Sequence, residues 1–463
     1  MRRVFFTGSV RHLYKDFIGK HADALLGQIK VDKSHFVQND VKRGLRNADG
    51  TGVMAGLTRI GSTQGYYMRD GEKTAMEGKL YYRGIDVSDI VDGFLGENRP
   101  GFEETAYLLI LGKLPNIPEL ETFRLMLEDL RELPKGFTED MILPAPSINI
   151  MNKISRSVLA LYSYDDEPEL NEREIERELT KALQLLACCP IIVAHAYAAK
   201  RHYFDGEGLY LHRSQQGYSM AENFLHSVRR DNSFTDEEAR LLDLCMVLHA
   251  EHGAGNNSAF ACRVLTSTGT DIYSAISAAV GSLKGPLHGG ANERIMEMFS
   301  FIKKDIGDWK DEDEISNYLD RILRKEAASG DGLIYGMGHA VYTISDPRAV
   351  ILKKLASSLA EKKNLQDEFE LMEKVEKLAP YALGRAKGKK GKVEICANVD
   401  MYSGFVYKML GIPQELYTPL FAIARMAGWC AHRLEEAWGG GKIIRPAYKA
   451  ITLDEDYIPL AER

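Results

Sequence analysis

His339 stands in a glycine-bearing stretch, GMGHAVYTISDPR, which covers residues 336–348. Gly336 and Gly338 come before it, and glycine lets the backbone take positive φ or approach a ligand closely. Arg348 ends the stretch, and a guanidinium can bind a carboxylate through two parallel hydrogen bonds, which a lysine cannot do. The stretch therefore predicts a shaped loop that binds an anion; a histidine that only stabilises its own loop is the alternative.

A second histidine, His288, lies in SLKGPLHGGANERIMEMF at residues 282–299. Gly285 and Pro286 are expected to end one helix, and another helix is expected to begin after Gly290. Because a helix N-terminus carries partial positive charge, it should lower the pKa of His288 and keep the imidazole neutral. A neutral imidazole can donate a hydrogen bond to an oxygen that becomes negative during a reaction, so His288 is a candidate oxyanion donor.

The segment LHAEHGAGNN, at residues 248–257, places His249, Glu251 and His252 close together. A helical metal site would need histidines four residues apart, but these are three apart and a glycine follows at once. We therefore predict no metal site. Instead we expect His252 to be a neutral or cationic hydrogen-bond donor near a helix C-terminus, or a histidine satisfied by neighbouring segments.

Asp400, in the stretch NVDMYSG, stands just before an apolar helix pattern. It could be the helix N-cap, for which aspartate is well suited, or a general base made more basic by Val399 and Met401 beside it. Arg425 lies in the largely apolar pattern FAIARMAGWCAH, where an unpaired guanidinium would be costly. Arg445 precedes a proline in KIIRPAY. Both arginines are candidates for binding an anion.

Helical patterns dominate the rest of the chain and must position these residues. Apolar residues recur at three-to-four spacing, opposite charged faces, near residues 102–112, 119–132, 172–188, 236–250, 271–284, 312–329, 348–378 and 401–410. Strand signals are few and lie near the start, in GLTRIGSTQGYYM and GKLYYRGIDV. Gln184, Pro190 and His195 interrupt the uncharged run at 182–199, which predicts a buried core helix rather than a membrane span. The fold is expected to be mainly α, with a few short N-terminal strands.

Composition excludes several classes of protein. The 463 residues are 45% hydrophobic and 27% charged, which allows one large and one smaller domain. The net charge is −7, so no overall basic field attracts nucleic acid. Six cysteines show no CxxC spacing, which indicates reduced core thiols rather than disulfides or a zinc site. The start, MRRVFFTGSVRHLYK, has no apolar run of secretory length; a mitochondrial presequence is the alternative, and a cytoplasmic location is expected by default.

Taken in order, these segments resemble the citrate synthase family, and its bacterial members most. LHAEHGAGNN, GPLHGGAN, GMGHAVYTISDPR, NVDMYSG, FAIARMAGW and KIIRP match that family's signature segments in order and at similar spacing, over roughly residues 50–450. The resemblance implies a two-domain helical fold and a homodimer that condenses acetyl-CoA with oxaloacetate and water to citrate and CoA. It implies no permanently bound cofactor, because acetyl-CoA is a co-substrate.

The resemblance also implies a role for each residue. Asp400 is expected to take a proton from the acetyl methyl group, and His288 to donate a hydrogen bond to the thioester oxygen. His339 is expected to polarise the ketone of oxaloacetate and supply its proton. Four further residues are expected to hold oxaloacetate, the last of them from the second subunit: His252, Arg348, Arg425 and Arg445.

The same resemblance suggests where the domains divide. We expect a large domain made of residues 1–290 and 411–463, and a small domain made of residues 291–410, with the site between them. Residues 1–50 show no such resemblance and could be an N-terminal extension. The phosphates of CoA are expected to contact a basic loop, although a solvated charged loop explains the same residues: Arg385, Lys387, Lys389, Lys390 and Lys392.

Two other functions stay open on the sequence. One is 2-methylcitrate synthase, which performs the same chemistry on propionyl-CoA; one methylene changes binding by only about 1–3 kcal/mol. The other is a non-catalytic sensor of CoA or dicarboxylate on the same fold. The residue types at all three catalytic positions argue against the sensor.

Overall fold

The computed structural model describes residues 15–47, 49–69, 72–171, 174–452 and 454–463. These residues divide into two units, with the boundary between Leu57 and Thr58. Most of the start on which the leader-sequence interpretation rests, residues 1–14, lies outside the described residues. The first two positions of the helix expected at 172–188 also lie outside them.

In its described residues, the first unit contains helix α1 (Lys15–Gln28) and the short helix α2 (Lys33–Gln38). Asp32 caps α2, because its carboxylate accepts a hydrogen bond from the backbone N–H of Ser34 at 2.8 Å. A single 3₁₀ turn follows at Arg43–Leu45. None of the described side chains in this unit is buried, so its described residues form no core of their own.

The second unit opens with a three-stranded antiparallel sheet, β1 (Gly61–Arg69), β2 (Glu72–Tyr82) and β3 (Ile85–Asp86). The register between β1 and β2 shifts between Gln64 and Tyr66, which marks a bulge. These strands confirm the two strand signals near the start of the sequence.

Helices make up most of the second unit. In chain order they are α3 (Val87–Gly96), α4 (Phe102–Leu111), α5 (Ile117–Asp129), α6 (Ile150–Leu161), α7 (Ile175–Asp205), α8 (Met220–Val228), α9 (Asp236–His249), α10 (Asn257–Thr266), α11 (Ile272–Leu283), α12 (Ala291–Asp305), α13 (Glu312–Leu323), α14 (Pro347–Lys362), α15 (Gln366–Ala386), α16 (Val399–Met409) and α17 (Tyr417–Trp438). Polar side chains begin many of them; Asn116, Ser219 and Thr235 each form a capping box with a glutamate three residues later. The mainly α fold is confirmed.

Helix α17 is the centre of the core. It packs against α4, α7, α9, α10 and α11, and its side chains from Tyr417 to Arg433 are buried. Helix α7 is long and apolar enough to span a membrane by length and composition, but 83% of its most apolar window is buried inside the protein. The prediction of a core helix at 182–199 is therefore confirmed.

Helices α12 to α16 form a second group, in which α13 packs on α15 and α16 packs on both α12 and α14. This group covers most of the expected small domain. The division at residues 290 and 410 stays a prediction, because no boundary between the two groups of helices defines it.

The sequence pattern misjudged one long helix and missed several short ones. The pattern at 348–378 is two helices, because the chain turns at Asn364, whose φ is 57°. Asparagine tolerates this left-handed conformation better than most residues, so it ends α14 and lets α15 begin in a new direction. The short helices α3, α6, α8 and α10 were not predicted.

Candidate active site

Two stretches far apart in sequence are tied together at the base of the site. An isolated antiparallel bridge joins Met337 to Ala397, and the backbone N–H of Asn398 donates to the carbonyl oxygen of Gly336 at 2.9 Å. Gly336 has a φ of 85°, in the region that favours glycine. The bridge therefore fixes the loop expected at 336–348 against the start of α16.

His339 follows Gly338, whose φ of 101° again requires glycine. Its Nδ1 accepts hydrogen bonds from the backbone N–H groups of Val341 at 3.0 Å and Tyr342 at 3.1 Å. Because a backbone N–H can only donate, Nδ1 carries no proton and the neutral ring carries its proton on Nε2. The Tyr342 ring stacks on the imidazole, with centroids 4.5 Å apart. His339 thus presents an Nε2–H donor in a fixed plane.

The β1–β2 hairpin packs against the same loop through two glycines. A Cβ on Gly65 would lie 2.5 Å from the carbonyl oxygen of Val341, and a Cβ on Gly78 would clash with the carbonyl oxygen of Ser345. The N–H of Gly78 also donates to the Ser345 hydroxyl at 3.1 Å. Since these distances leave no room for a side chain, the hairpin supports the loop from one side by direct backbone contact.

Asp400 lies in the first turn of α16 and is not its N-cap. The cap is Asn398, whose side chain accepts a hydrogen bond from the backbone N–H of Asp400 at 3.1 Å. The N-cap interpretation of Asp400 is therefore wrong. Its Oδ1 instead accepts a hydrogen bond from Nδ2 of Asn292 at 2.9 Å. Asp400 as a whole residue is partly exposed, but burial of its carboxyl group raises the pKa of Asp400 to about 6, with Arg348 and Arg425 opposing the rise.

His288 lies in the turn between α11 and α12 and is partly buried. Helix α11 ends at Leu283 and α12 begins at Ala291, close to the predicted limits. Burial and, to a lesser extent, the nearby Arg425 lower the pKa of His288 to about 4, so the ring is neutral as predicted. The main cause is desolvation rather than the helix dipole. Its Nε2 is buried without a hydrogen-bond partner among the described residues.

His252 lies just after α9 and is buried. Its ring lies edge-on to that of His339, with centroids 4.9 Å apart. Burial and the nearby Arg348 lower the pKa of His252 well below its usual value, so the cationic alternative is wrong and the ring is neutral. Its Nε2 has no hydrogen-bond partner in the part of the chain that is described. Among those residues, no cluster of three His, Cys, Asp or Glu side chains is placed to hold a metal ion.

A buried chain of side chains holds the turn that carries His252. Oε1 of Glu251 accepts hydrogen bonds from Nε2 of His432 at 2.9 Å and from the backbone N–H of Gly253. On the other side of the His432 imidazole, Nη1 of Arg263 donates to Nδ1 of His432 at 2.9 Å. Burial opposes ionisation of Glu251, but His432 and the hydrogen bonds lower its pKa overall. The turn is therefore fixed from within the core.

Arg348, in the first turn of α14, is 3% exposed. Its Nε and Nη2 donate to Oδ1 and Oδ2 of Asp346 at 3.0 and 2.7 Å, and Asp346 also caps the helix. Burial alone would lower the pKa of Arg348, but the ion pair with Asp346 raises this pKa overall. One edge of the guanidinium fork is thus engaged within the protein, so we expect a ligand carboxylate to meet the other edge, at Nη1 and Nη2.

Arg425 is fully buried on α17. Its Nε donates to the carbonyl oxygen of His249 at 2.6 Å, and its guanidinium lies 4.7 Å from the centre of the Phe421 ring. Its Nη1 and Nη2 are buried without a hydrogen-bond partner among the described residues. Burial lowers the pKa of Arg425 to about 10, which still leaves the side chain cationic at neutral pH. A buried, unpartnered cation is costly, so an anionic ligand would stabilise this site.

The structure brings together six of the seven residues that were expected to act in catalysis or to hold oxaloacetate. The cluster consists of two guanidinium groups, three imidazoles and one carboxylate. Each lies close enough to at least one other member for their electrostatic interaction to influence a pKa: His252, His288, His339, Arg348, Asp400 and Arg425. Such a set can bind an anion through the arginines, donate hydrogen bonds from neutral imidazoles and remove a proton through the carboxylate.

Arg445 and the basic loop lie outside this cluster. Arg445 is exposed in the segment after α17, and in the described part of this chain no hydrogen bond or ion pair joins it to the six residues. Arg385 pairs with Asp320 at 2.9 Å and donates to the Ser316 hydroxyl at 2.7 Å. The remaining members of the basic loop are exposed: Lys387, Lys389, Lys390 and Lys392.

Sequence reasoning missed three residues that position the cluster. Asp346 could have been found, because an Asp before Pro is a helix-start signal and Arg348 follows. Asn292 and Ser403 carry no such local signal. Asn292 contacts Asp400, which is 108 positions away in the sequence, and it contacts Ser403, which is 111 positions away. Only the folded chain reveals them.

Comparisons with known proteins agree with the motifs. The family model described as "Citrate synthase, C-terminal domain" matches residues 49–447. A citrate synthase of Synechocystis is 34% identical over 416 residues, which cover 89% of this chain and 92% of that protein. A 2-methylcitrate synthase of Shewanella oneidensis is 31% identical, covering 83% of this chain and 92% of that protein. The ternary complex of carboxymethyl coenzyme A and oxaloacetate with citrate synthase from Thermoplasma acidophilum is similar in structure, with a TM-score of 0.72, 27% identity and coverage of 91% and 99%.

Proposed function

The chain belongs to the citrate synthase family, acyltransferases of the (Si)-citrate synthase type, and from that premise we propose that it condenses acetyl-CoA with oxaloacetate and water to citrate and free CoA. One observation carries the proposal. The buried, unpartnered nitrogens of Arg425 and His252 lie in the same cluster as Asp400, whose pKa is raised to about 6. Donors for a dianion therefore lie beside a base.

In the first step, oxaloacetate would bind between the cationic residues of the cluster. Its two carboxylates need buried positive partners, and Arg425 offers Nη1 and Nη2 while Arg348 offers the edge that Asp346 leaves open. His252, neutral and with Nε2 unpartnered, would add a hydrogen bond. The ternary complex of the Thermoplasma enzyme contains oxaloacetate, which supports this choice of ligand.

Asp400 and His288 would act together on acetyl-CoA. The methyl protons of a thioester are weakly acidic, so the base needs a donor aimed at the oxygen that becomes negative. A carboxylate with a pKa of about 6 is mostly ionised at pH 7. His288, neutral because its pKa is about 4, would donate from Nε2 to the thioester oxygen.

His339 would then activate the ketone. Because two backbone N–H groups occupy Nδ1, the proton lies on Nε2 and can be donated to the ketone oxygen as the new carbon–carbon bond forms. Hydrolysis of the resulting thioester would release citrate and CoA, the citrate-forming step of the tricarboxylic acid cycle.

Arg445 would complete the site of a second subunit in a homodimer. In mixed dimers of Asp400→Asn and Arg445→Ala chains, one site carries both lesions and the other carries neither. Random exchange of equal amounts makes about half of the dimers mixed, so activity should return to roughly a quarter of the wild-type value. No recovery after demonstrated subunit exchange would place Arg445 in its own chain's site. We propose that this dimer works in the cytoplasm.

The second candidate is 2-methylcitrate synthase, which the Shewanella relative favours. Release of free thiol, measured with acetyl-CoA and with propionyl-CoA in the presence and absence of oxaloacetate, separates the candidates. We expect oxaloacetate-dependent release with a higher kcat/KM for acetyl-CoA. A higher value for propionyl-CoA would favour the second candidate, and no release with either would indicate a non-catalytic sensor.

A further inference from the structure

We propose that Asn292 is a positioning residue for Asp400, held in its working orientation by Ser403. The inference rests on the proposed role of Asp400 as general base. It adds two residues, neither of which touches the substrate in the proposed mechanism, to those that determine how well the base works.

The geometry of the three side chains is well defined. Asn292 is 1% exposed and Ser403 is fully buried. Nδ2 of Asn292 donates to Oδ1 of Asp400 at 2.9 Å, and the Ser403 hydroxyl donates to Oδ1 of Asn292 at 3.1 Å. An ionised carboxylate can only accept hydrogen bonds, so the amide nitrogen must face Asp400 and the amide oxygen must face Ser403.

A glycine leaves room for this arrangement. A Cβ on Gly404 would lie 3.0 Å from Oδ1 of Asn292 and 3.4 Å from the Met296 side chain. Those distances are at or below ordinary van der Waals contact, so a side chain at 404 would displace the amide. Ser403 and Gly404 therefore act as a pair: one residue directs the amide and the next gives it space.

The contact has two consequences for the base. Oδ1 is engaged by the amide, which leaves Oδ2 as the oxygen that takes the proton. A hydrogen bond to the ionised form also favours that form, and so offsets part of the effect of burial on Asp400. In addition, Asn292 lies only four residues after His288, at the start of α12. The same short segment therefore positions the base and the oxyanion donor relative to each other.

Other groups act on Asp400 and stay unchanged when Asn292 is replaced. They are Arg348 and Asp346 at the start of α14, Arg425 on α17 and Tyr407 on α16. Because these groups are the same in the wild type and in the variants, a difference between the pH profiles of wild type and variant reports the contact with Asn292.

The test measures kcat and KM against pH by thiol release for wild type, Asn292→Ala and Ser403→Ala. Loss of the amide should move the acidic limb of the kcat profile up by about one pH unit, because the carboxylate loses a donor. It should lower kcat at the optimum about tenfold, because the base is no longer oriented, with KM for oxaloacetate nearly unchanged. Ser403→Ala should shift the limb in the same direction by less, because the amide is kept but can rotate.

Asn223→Ala is the matched control. Asn223 is 2% exposed and its Nδ2 donates to the carbonyl oxygens of Gln215, Tyr218 and Ser219, away from the cluster. This variant should lower the melting temperature without moving the acidic limb. A purely structural role of Asn292 would give the same result as the control.

The outcomes separate the inference from the proposed function. A wild-type chain without oxaloacetate-dependent thiol release overturns both. An active wild type with an unmoved acidic limb in a folded Asn292→Ala variant overturns the positioning role alone. If circular dichroism shows that Asn292→Ala is unfolded, Ser403→Ala decides: a shifted limb supports the role, and an unmoved limb overturns it.

Discussion

The two cationic regions selected from the sequence have opposite environments. Arg348 and Arg425 are 3% and 0% exposed, and each is held by at least one hydrogen bond within the protein. The lysines of the basic loop are exposed, and Arg385 at its start is engaged by Asp320 on the neighbouring helix. Burying a guanidinium is costly unless an anion meets it, whereas an exposed lysine costs almost nothing.

The difference in environment determines which of the two regions indicates a bound ligand. A buried cation with unpartnered nitrogens implies a ligand, because without a ligand the group would destabilise the fold. An exposed basic loop implies only a local positive potential, which salt screens. Substitutions in the two regions should therefore differ in size and in salt dependence.

The largest expected effect is that of Asp400→Asn, within the cluster. The amide keeps the shape of the side chain, and the cap of α16 is Asn398, so folding and oxaloacetate binding should persist. Turnover should fall about 10³-fold or more, because the base is lost. Thiol release and calorimetric titration with oxaloacetate check the two parts, and a near-native kcat would contradict the role of Asp400.

His288→Ala should have the next largest effect. If Nε2 donates to the thioester oxygen, kcat should fall by about 10²-fold, with KM for oxaloacetate little changed. His212→Ala is a suitable control, because the Nε2 of His212 is also buried without a partner among the described residues but lies outside the cluster. Equal losses in the two variants would mean that a general structural effect explains both.

Arg348→Lys should mainly weaken oxaloacetate binding. A lysine offers one point charge, which cannot serve Asp346 and a substrate carboxylate together as the two edges of the guanidinium can. We expect KM for oxaloacetate to rise about tenfold or more, with a smaller change in kcat. An unchanged KM would indicate that Arg348 only holds Asp346 in place.

The smallest effect is expected in the basic loop. Replacing its four lysines by glutamine should raise KM for acetyl-CoA only a few-fold at low salt, and the difference should shrink as salt is added. A matched control replaces four other lysines by glutamine and so removes the same charge, because these lysines are also exposed: Lys304, Lys310, Lys325 and Lys354. A large increase in KM that does not depend on salt would indicate that the loop binds its ligand as closely as the buried arginines do. An increase no larger than that of the control would indicate that the loop is only a solvated surface loop.

Local signals made much of the site predictable. Gly336 and Gly338 were recognised as residues of a shaped loop, and both have positive φ. Helix periodicity located α4, α5, α9, α11 and α16 within a few residues, because amphipathic patterns are read from neighbours in the chain. Where a single residue such as Asn364 interrupts the amphipathic pattern, the pattern still predicts one continuous helix although the chain forms two.

Tertiary effects were not predictable from the sequence. The neutral state of His288 was expected from the helix dipole, but desolvation is its main cause. The interpretation of Asp400 as an N-cap was wrong because Asn398, which is equally suited to cap a helix, precedes it in the chain. The contact of Asp400 with Asn292 depends on how α12 and α16 pack, which no local pattern encodes.

Formation of the carbon–carbon bond tests the central claim most directly, because simple hydrolysis of a thioester would also release thiol. The protein would be incubated with oxaloacetate and acetyl-CoA labelled with ¹³C in the methyl group, and the products followed by NMR. The account predicts that the label appears in a methylene carbon of citrate, in step with free CoA and only when oxaloacetate is present. Label that appears in acetate, or that stays in acetyl-CoA, would contradict it.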